Sequence, residues 1–166
     1  MEWPDIWEVA SYVVTVVGLP FAIAVYFLDQ RKERDNEEEE AYQLLSDAYN
    51  EFLKVVLENA DLKLLSQTHL PELNDEQRER MRVIFEMLIS LFERAYIVAY
   101  DDDMSEVARR RWNSWEDYMR HWARHDDFYH ALPLLLRGED PEFSSYIRKI
   151  SDEERALLSR NTLANA

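Results

Sequence analysis

The chain has 166 residues and a formal net charge of −15, enough length for one ordinary domain and an appendage. It has no cysteine, which excludes disulfides, thiol catalysis and cysteine-ligated metal sites and suits a reducing compartment. With only two glycines, Gly18 and Gly138, no glycine-rich phosphate loop can be built, and the acidity argues against nucleic acid and anionic lipid as bulk partners.

Residues 9–28, VASYVVTVVGLPFAIAVYFL, contain no Asp, Glu, Lys, Arg or His. At a helical rise of about 1.5 Å per residue the run spans about 30 Å, the thickness of a bilayer's hydrocarbon core. It predicts a transmembrane helix, with residues 1–30 as the anchor. A buried helix of a soluble protein usually carries a polar stripe, and here the only polar side chains are Ser11, Tyr12, Thr15 and Tyr26. A cleaved signal peptide needs a basic start, but the preceding MEWPDIWE has three acids and no base.

Arg31, Lys32 and Arg34 follow the run directly, so the positive-inside rule predicts an outside N-terminus and a cytoplasmic C-terminal part in the cell membrane. Trp3, Trp7 and Tyr26 suit the headgroup interfaces. Ser11, Thr15, Gly18 and Ala22 recur at spacings of four, three and four, a small-residue face that lets a second helix approach closely. Pro20 frees the carbonyl of Val16 and predicts a kink.

Residues 31–40 read as a charged stalk, and 41–160 as a cytoplasmic helical domain. The first thirty residues hold four acids and no base, which leaves −11 for the remainder. The first helix of the domain is predicted from about Glu37 to Ser66, with Leu45, Ala48, Phe52, Val55, Val56, Leu62 and Leu65 as its stripe and Pro71 as its stop. The second starts after Asn74, with Gln77 at the capping-box position, and buries Met81, Ile84, Phe85, Leu88, Phe92, Ala95 and Ala99. It ends in Asp101, Asp102 and Asp103. These lack the alternating ligands, glycine and final glutamate of a calcium loop and read as a polar connection.

The third helix begins near Ser105. Ala108, Trp112, Trp115, Met119 and Trp122 repeat at four, three, four and three, which puts three indoles on one stripe. The stripe reads as bundle core. A stacking surface for a planar ligand, flanked by Arg109, Arg110, Arg111, Arg120 and Arg124, is the alternative. His121 and His125 are four apart, with Asp126, Asp127 and His130 following, the raw material of a metal site. Trp122 stands where a zinc protease has its glutamate, no paired Glu-x-x-His occurs, and Arg124 would repel a cation. His121 and His125 are therefore expected to be solvated, with no cofactor, no metal and no catalytic set. No Gly-x-Ser-x-Gly or Ser-His-Asp pattern appears.

Pro133 is expected to break a short helix from about Asp127, and Gly138 to sit in a turn. Asp140-Pro141 starts another helix, with Phe143, Tyr146, Ile147 and Ile150 apolar. Ser151 and Glu154 read as the capping box of a last short helix ending near Arg160, before a frayed tail, 161–166.

The fold class expected is all-α: one N-terminal transmembrane helix and a small helical bundle. In its arrangement, and in the motif Trp112-x-x-Trp115-Glu116-x-x-Met119-x-x-Trp122, the chain loosely resembles single-pass bacterial membrane proteins with a cytoplasmic helical domain. Such proteins have no assigned chemistry, so the resemblance implies no functional residue. The function expected is that of a non-enzymatic accessory subunit or adaptor, partnered by the lipid bilayer and by another protein or a second copy. The alternative is a ligand- or metal-binding domain using the His/Trp-rich helix.

Overall fold

The computed structural model describes Tyr26 and residues 39–65 and 72–164. The chain divides into two units, Met1–Glu40 and Ala41–Ala166. The predicted transmembrane run and its face of Ser11, Thr15, Gly18 and Ala22 lie outside the described residues, Tyr26 excepted. Among the described residues, no helix is long and apolar enough to cross a membrane.

The larger unit is all helical among its described residues. Helix α1 covers residues 39–58. Helices α2 (Asp75–Ala99), α3 (Glu106–Ala123), α4 (Asp126–Leu135) and α5 (Pro141–Ala164) follow. Helix α3 lies at the centre, packed against α2, α4 and α5. Its rings also meet α1, where Tyr49 meets Trp115 edge-on and Phe52 meets Trp122 edge-on.

Local chemistry accounts for most of the helix starts. Asn74 and Gln77 form the reciprocal capping box of α2, with the Gln77 backbone N–H 2.9 Å from Asn74 Oδ1 and the Asn74 N–H 3.0 Å from Gln77 Oε1. Ser105 Oγ accepts from the Ala108 N–H at the start of α3. Asp140 Oδ1 accepts from the N–H groups of Glu142 and Phe143, and Pro141 takes the first position of α5.

Four boundaries differ from expectation. Helix α1 stops at residue 58 rather than near Ser66. The Asn59 side chain turns back onto the Val55 carbonyl at 2.8 Å, a 3₁₀ turn follows at Ala60–Leu62, and Lys63 adopts φ +49°. The turn folds Leu62 and Leu64 into the core, which a continued helix would not do. Pro71 lies outside the described residues.

Pro133 does not break α4. It is near the C-terminus, costs one backbone hydrogen bond, and the helix runs two residues further so that Leu132 and Leu135 bury together. The chain instead reverses at Gly138, whose φ of +93° suits a residue without Cβ.

There is no separate helix starting at Ser151. Helix α5 runs unbroken from Pro141 to Ala164, beyond the expected end at Arg160 and into the segment expected to fray. No glycine or proline interrupts it after Pro141. Ser151 and Glu154 are buried on the side that also carries Ile147 and Ile150, so their three-residue spacing serves packing rather than capping.

The core is one cluster with contributions from every helix. Trp115, Trp122, Phe85, Phe92, Phe128 and Phe143 are its largest fully buried side chains.

Candidate functional site

Trp112, Trp115, Met119 and Trp122 all lie in the core. Two of the three indole N–H groups have an acceptor there. Trp122 Nε1 donates to the Tyr49 hydroxyl at 3.2 Å, and Trp112 Nε1 donates to the Tyr146 hydroxyl at 2.9 Å. Tyr146 in turn donates to Glu116. Burial, and then the hydrogen bond to Glu116, push the Tyr146 hydroxyl well above its ordinary range. Burial alone would raise the Glu116 carboxyl, but the hydrogen bonds from Tyr146 and Arg120 outweigh it and hold it below the usual range. This chain therefore carries a fixed negative charge on α3 and a neutral phenol on α5.

Four of the five arginines flanking the stripe are also engaged, and Arg109 is exposed. Arg120 bonds Glu116 within α3 and Glu153 on α5, at 2.8 and 2.9 Å. Arg124 Nε sits 2.8 Å from Glu154 Oε1, and Arg155 reaches back from α5 to Asp126 at 2.6 Å. These ion pairs pin α5 along α3 and the start of α4. Arg110 lies 3.9 Å from Glu106, and Arg111 stands over the Tyr42 ring at 5.4 Å.

The structure separates the histidines. His121 is exposed on the last turn of α3, whereas His125 lies beyond the end of that helix, as the N-cap residue of α4. The expected side-by-side pair on one helix is therefore not formed. His125 is also not solvated, with 7% of its surface exposed and its ring edge-on to Phe85 at 5.6 Å. The break between α3 and α4 turns it inward, where neither ring nitrogen has a hydrogen-bond partner. Burial holds its pKa below the ordinary histidine value, against the opposing pull of Asp127 and Asp126. His130 Nδ1 is 2.8 Å from the Asp126 carbonyl. Among the described residues, no three His, Asp or Glu side chains are grouped so that they could hold a metal ion.

An open cleft of about 400 Å³ lies between Tyr96, Tyr100, Asp101, Asp102, Asp140 and Glu142. Its carboxylates have local work. Asp102 accepts from the Tyr100 hydroxyl at 3.0 Å, Asp101 from the Asp103 N–H at 2.8 Å, and Asp140 caps α5. Next to Asp140, the Glu139 carboxyl hydrogen-bonds with Glu93. That hydrogen bond, then partial burial, raises the Glu139 carboxyl to about 7.

The outward face of α2 is different, because nothing in the described unit covers it. Val83, Met87, Ile97 and Val98 are 48%, 44%, 63% and 53% exposed. With Ser90 and Arg94, also exposed, they lie within one strip of the helix surface, opposite the buried Phe85, Leu88, Phe92 and Ala95. A groove of about 320 Å³ opens beside Val83 and Met87, between α2 and Val55 of α1, with Asn59, Glu76, Glu79 and Arg80 also in its lining. Val83 and Met87 border the groove, and Ile97 and Val98 lie about 15 Å further along the axis, beyond Ser90 and Arg94, so the face carries an apolar pair near each end. Reading only the second helix's core stripe missed this face. The signal was the apolar residues at the positions left over.

No protein-family model, curated protein or solved structure matches this chain.

Proposed function

We propose that this is a membrane-anchored, non-enzymatic interaction protein, an accessory subunit or adaptor whose cytoplasmic helical domain binds a protein partner. The observation that carries the reading is the exposed apolar strip on α2, with its adjoining groove. The anchor is residues 9–28, supported by their uncharged composition and length. Arg31, Lys32 and Arg34 support a cytoplasmic domain and an outside N-terminus. The face of Ser11, Thr15, Gly18 and Ala22 gives the anchor a means of lateral association. A ligand-binding role for the Trp-rich helix is disfavoured, because its three indoles are already packed against other helices.

The test is a photo-crosslinking residue at Met87 of the full chain in its native membrane. A discrete protein adduct, lost when the probe is moved to the exposed Asn113 on α3, is the expected result. No adduct at Met87 overturns the reading.

A further inference from the structure

The outward face of α2 is self-complementary about Ser90. Glu86 and Arg94 stand four residues to either side of Ser90, and Val83 and Ile97 stand seven to either side. All five are exposed. At about 1.5 Å per residue these offsets are about 6 and 10 Å along the axis. A two-fold axis at Ser90, with a second α2 running antiparallel, therefore sets Glu86 level with the other copy's Arg94. It sets Val83 level with the other copy's Ile97.

We infer that the occupant of this face is a second copy of the same chain, paired antiparallel through α2 about Ser90. This rests on the interaction reading above and names its partner.

Three features fit. The most exposed apolar side chains of the strip, Ile97 and Val98, are at one end of α2, while the groove beside Val83 and Met87 is at the other. The antiparallel register delivers each pair of side chains to the other copy's groove, as an isologous contact requires. The charges at the intermediate level are opposite, so the Glu86–Arg94 pair forms twice by symmetry, with Glu86 shared between that arginine and Arg82 of its own helix, 3.4 Å away. The side chain at the axis is small, which lets the backbones approach.

The contact is modest. A single helix pair falls short of the roughly 800 Å² per partner of a standard stable interface. The domain's net negative charge also opposes association. Tethering to one membrane offsets both, because confinement raises the effective concentration of the second copy.

The chain has no cysteine, so Ser90→Cys creates its only thiol. A disulfide requires Cα atoms no more than about 7 Å apart, which two Ser90 positions meet only near a shared axis. The experiment oxidises the full-length Ser90→Cys chain mildly in its membrane, with Asn113→Cys as the control. A covalent dimer for Ser90→Cys and none for Asn113→Cys is expected. In the Ser90→Cys background, Glu86→Arg and Arg94→Glu should each lower the linked fraction about threefold or more, and the double swap should restore it. Linkage no greater than the control, or a double swap as poor as the single ones, overturns the inference. A Met87 photo-adduct to a different protein, without Ser90 linkage, overturns the second copy and leaves the interaction reading standing. No adduct of any mass overturns both.

Discussion

Trp122 donates its indole N–H to the hydroxyl of Tyr49 at 3.2 Å, a side-chain bond between α3 and α1 made inside the core. Burial, partly offset by that indole N–H, raises the Tyr49 hydroxyl above its ordinary range, so it stays neutral at any physiological pH. Tyr49→Phe keeps the ring but leaves the indole N–H without an acceptor in a site closed to water. The expected cost is about 1–3 kcal/mol, the desolvation penalty of a buried donor. Chemical denaturation of the two proteins measures it, and equal midpoints would show that the bond contributes nothing.

Trp115 is a stricter test of the core. It is fully buried and packs edge-on against both Tyr49 and Tyr118, at 5.8 Å each. Trp115→Ala should destabilise by about 3–5 kcal/mol, a large share of the roughly 5–15 kcal/mol that holds a domain folded. His121→Ala, at an exposed position, should change the melt by no more than about 0.5 kcal/mol. Thermal unfolding followed by circular dichroism compares them. An unchanged melt for Trp115→Ala would contradict its burial.

The proposed membrane topology rests on the charges next to the apolar run. On the proposed orientation, a reporter fused after Ala166 should be active only on the cytoplasmic side, the side to which the positive-inside rule assigns Arg31, Lys32 and Arg34. Replacing these three by Asp should reduce or invert that outcome. Activity of the parent fusion outside the cell would reverse the proposed orientation.

The parts of the fold legible in the sequence are those governed by neighbours along the chain. Asn74, Ser105 and Asp140 cap their helices because a cap is a hydrogen bond spanning two or three residues. The indole stripe was legible for a related reason, since its spacing alone puts Trp112, Trp115 and Trp122 on one side. What failed depends on distant residues or on ambiguous signals. Ser151 and Glu154 match a capping box, but the same spacing marks one helix face, and burial in α5 decides between them. His125 was misplaced because its burial depends on Phe85, forty residues away. The outward apolar face of α2 was missed because apolar residues occupy both sides of that helix. Only the packing of its neighbours says which side is covered.

His125 makes acid stability predictable in sign. Its folded pKa is held below the ordinary 6.5 by burial, against Asp127 and Asp126, so as the pH falls the unfolded chain takes up the proton first. Its contribution to stability is present above about pH 6.5 and is lost as the pH drops below that. His125→Leu removes the titration while keeping an apolar occupant beside Phe85. The melting temperature of the parent chain should therefore fall more between pH 7 and pH 5 than that of the variant. Parallel curves would mean that the imidazole is hydrated in the folded state.

Glu139 should act in the opposite direction. It lies in the turn between α4 and α5 and hydrogen-bonds with Glu93 of α2, while the Asp140 backbone N–H donates to the same Glu93 carboxylate. Its folded pKa of about 7 is above the ordinary carboxyl value of 4.5, so the folded chain binds the extra proton more tightly than the unfolded one. That contribution is full below about pH 4.5 and is lost as the pH rises through about 7. Above that, two carboxylates face each other across the turn. Glu139→Gln supplies an amide donor to Glu93 at every pH and removes the titration. Relative to the parent, the variant should gain melting temperature progressively from pH 5 to pH 8, and the two curves should approach each other at the acid end. Because His125 acts with the reverse sign below pH 6.5, the two contributions offset each other in the parent there, so each single variant should have a steeper profile between pH 5 and pH 6.5 than the parent or the double variant. A Glu139→Gln profile that runs parallel to the parent throughout would show that the Glu139 carboxyl is not raised.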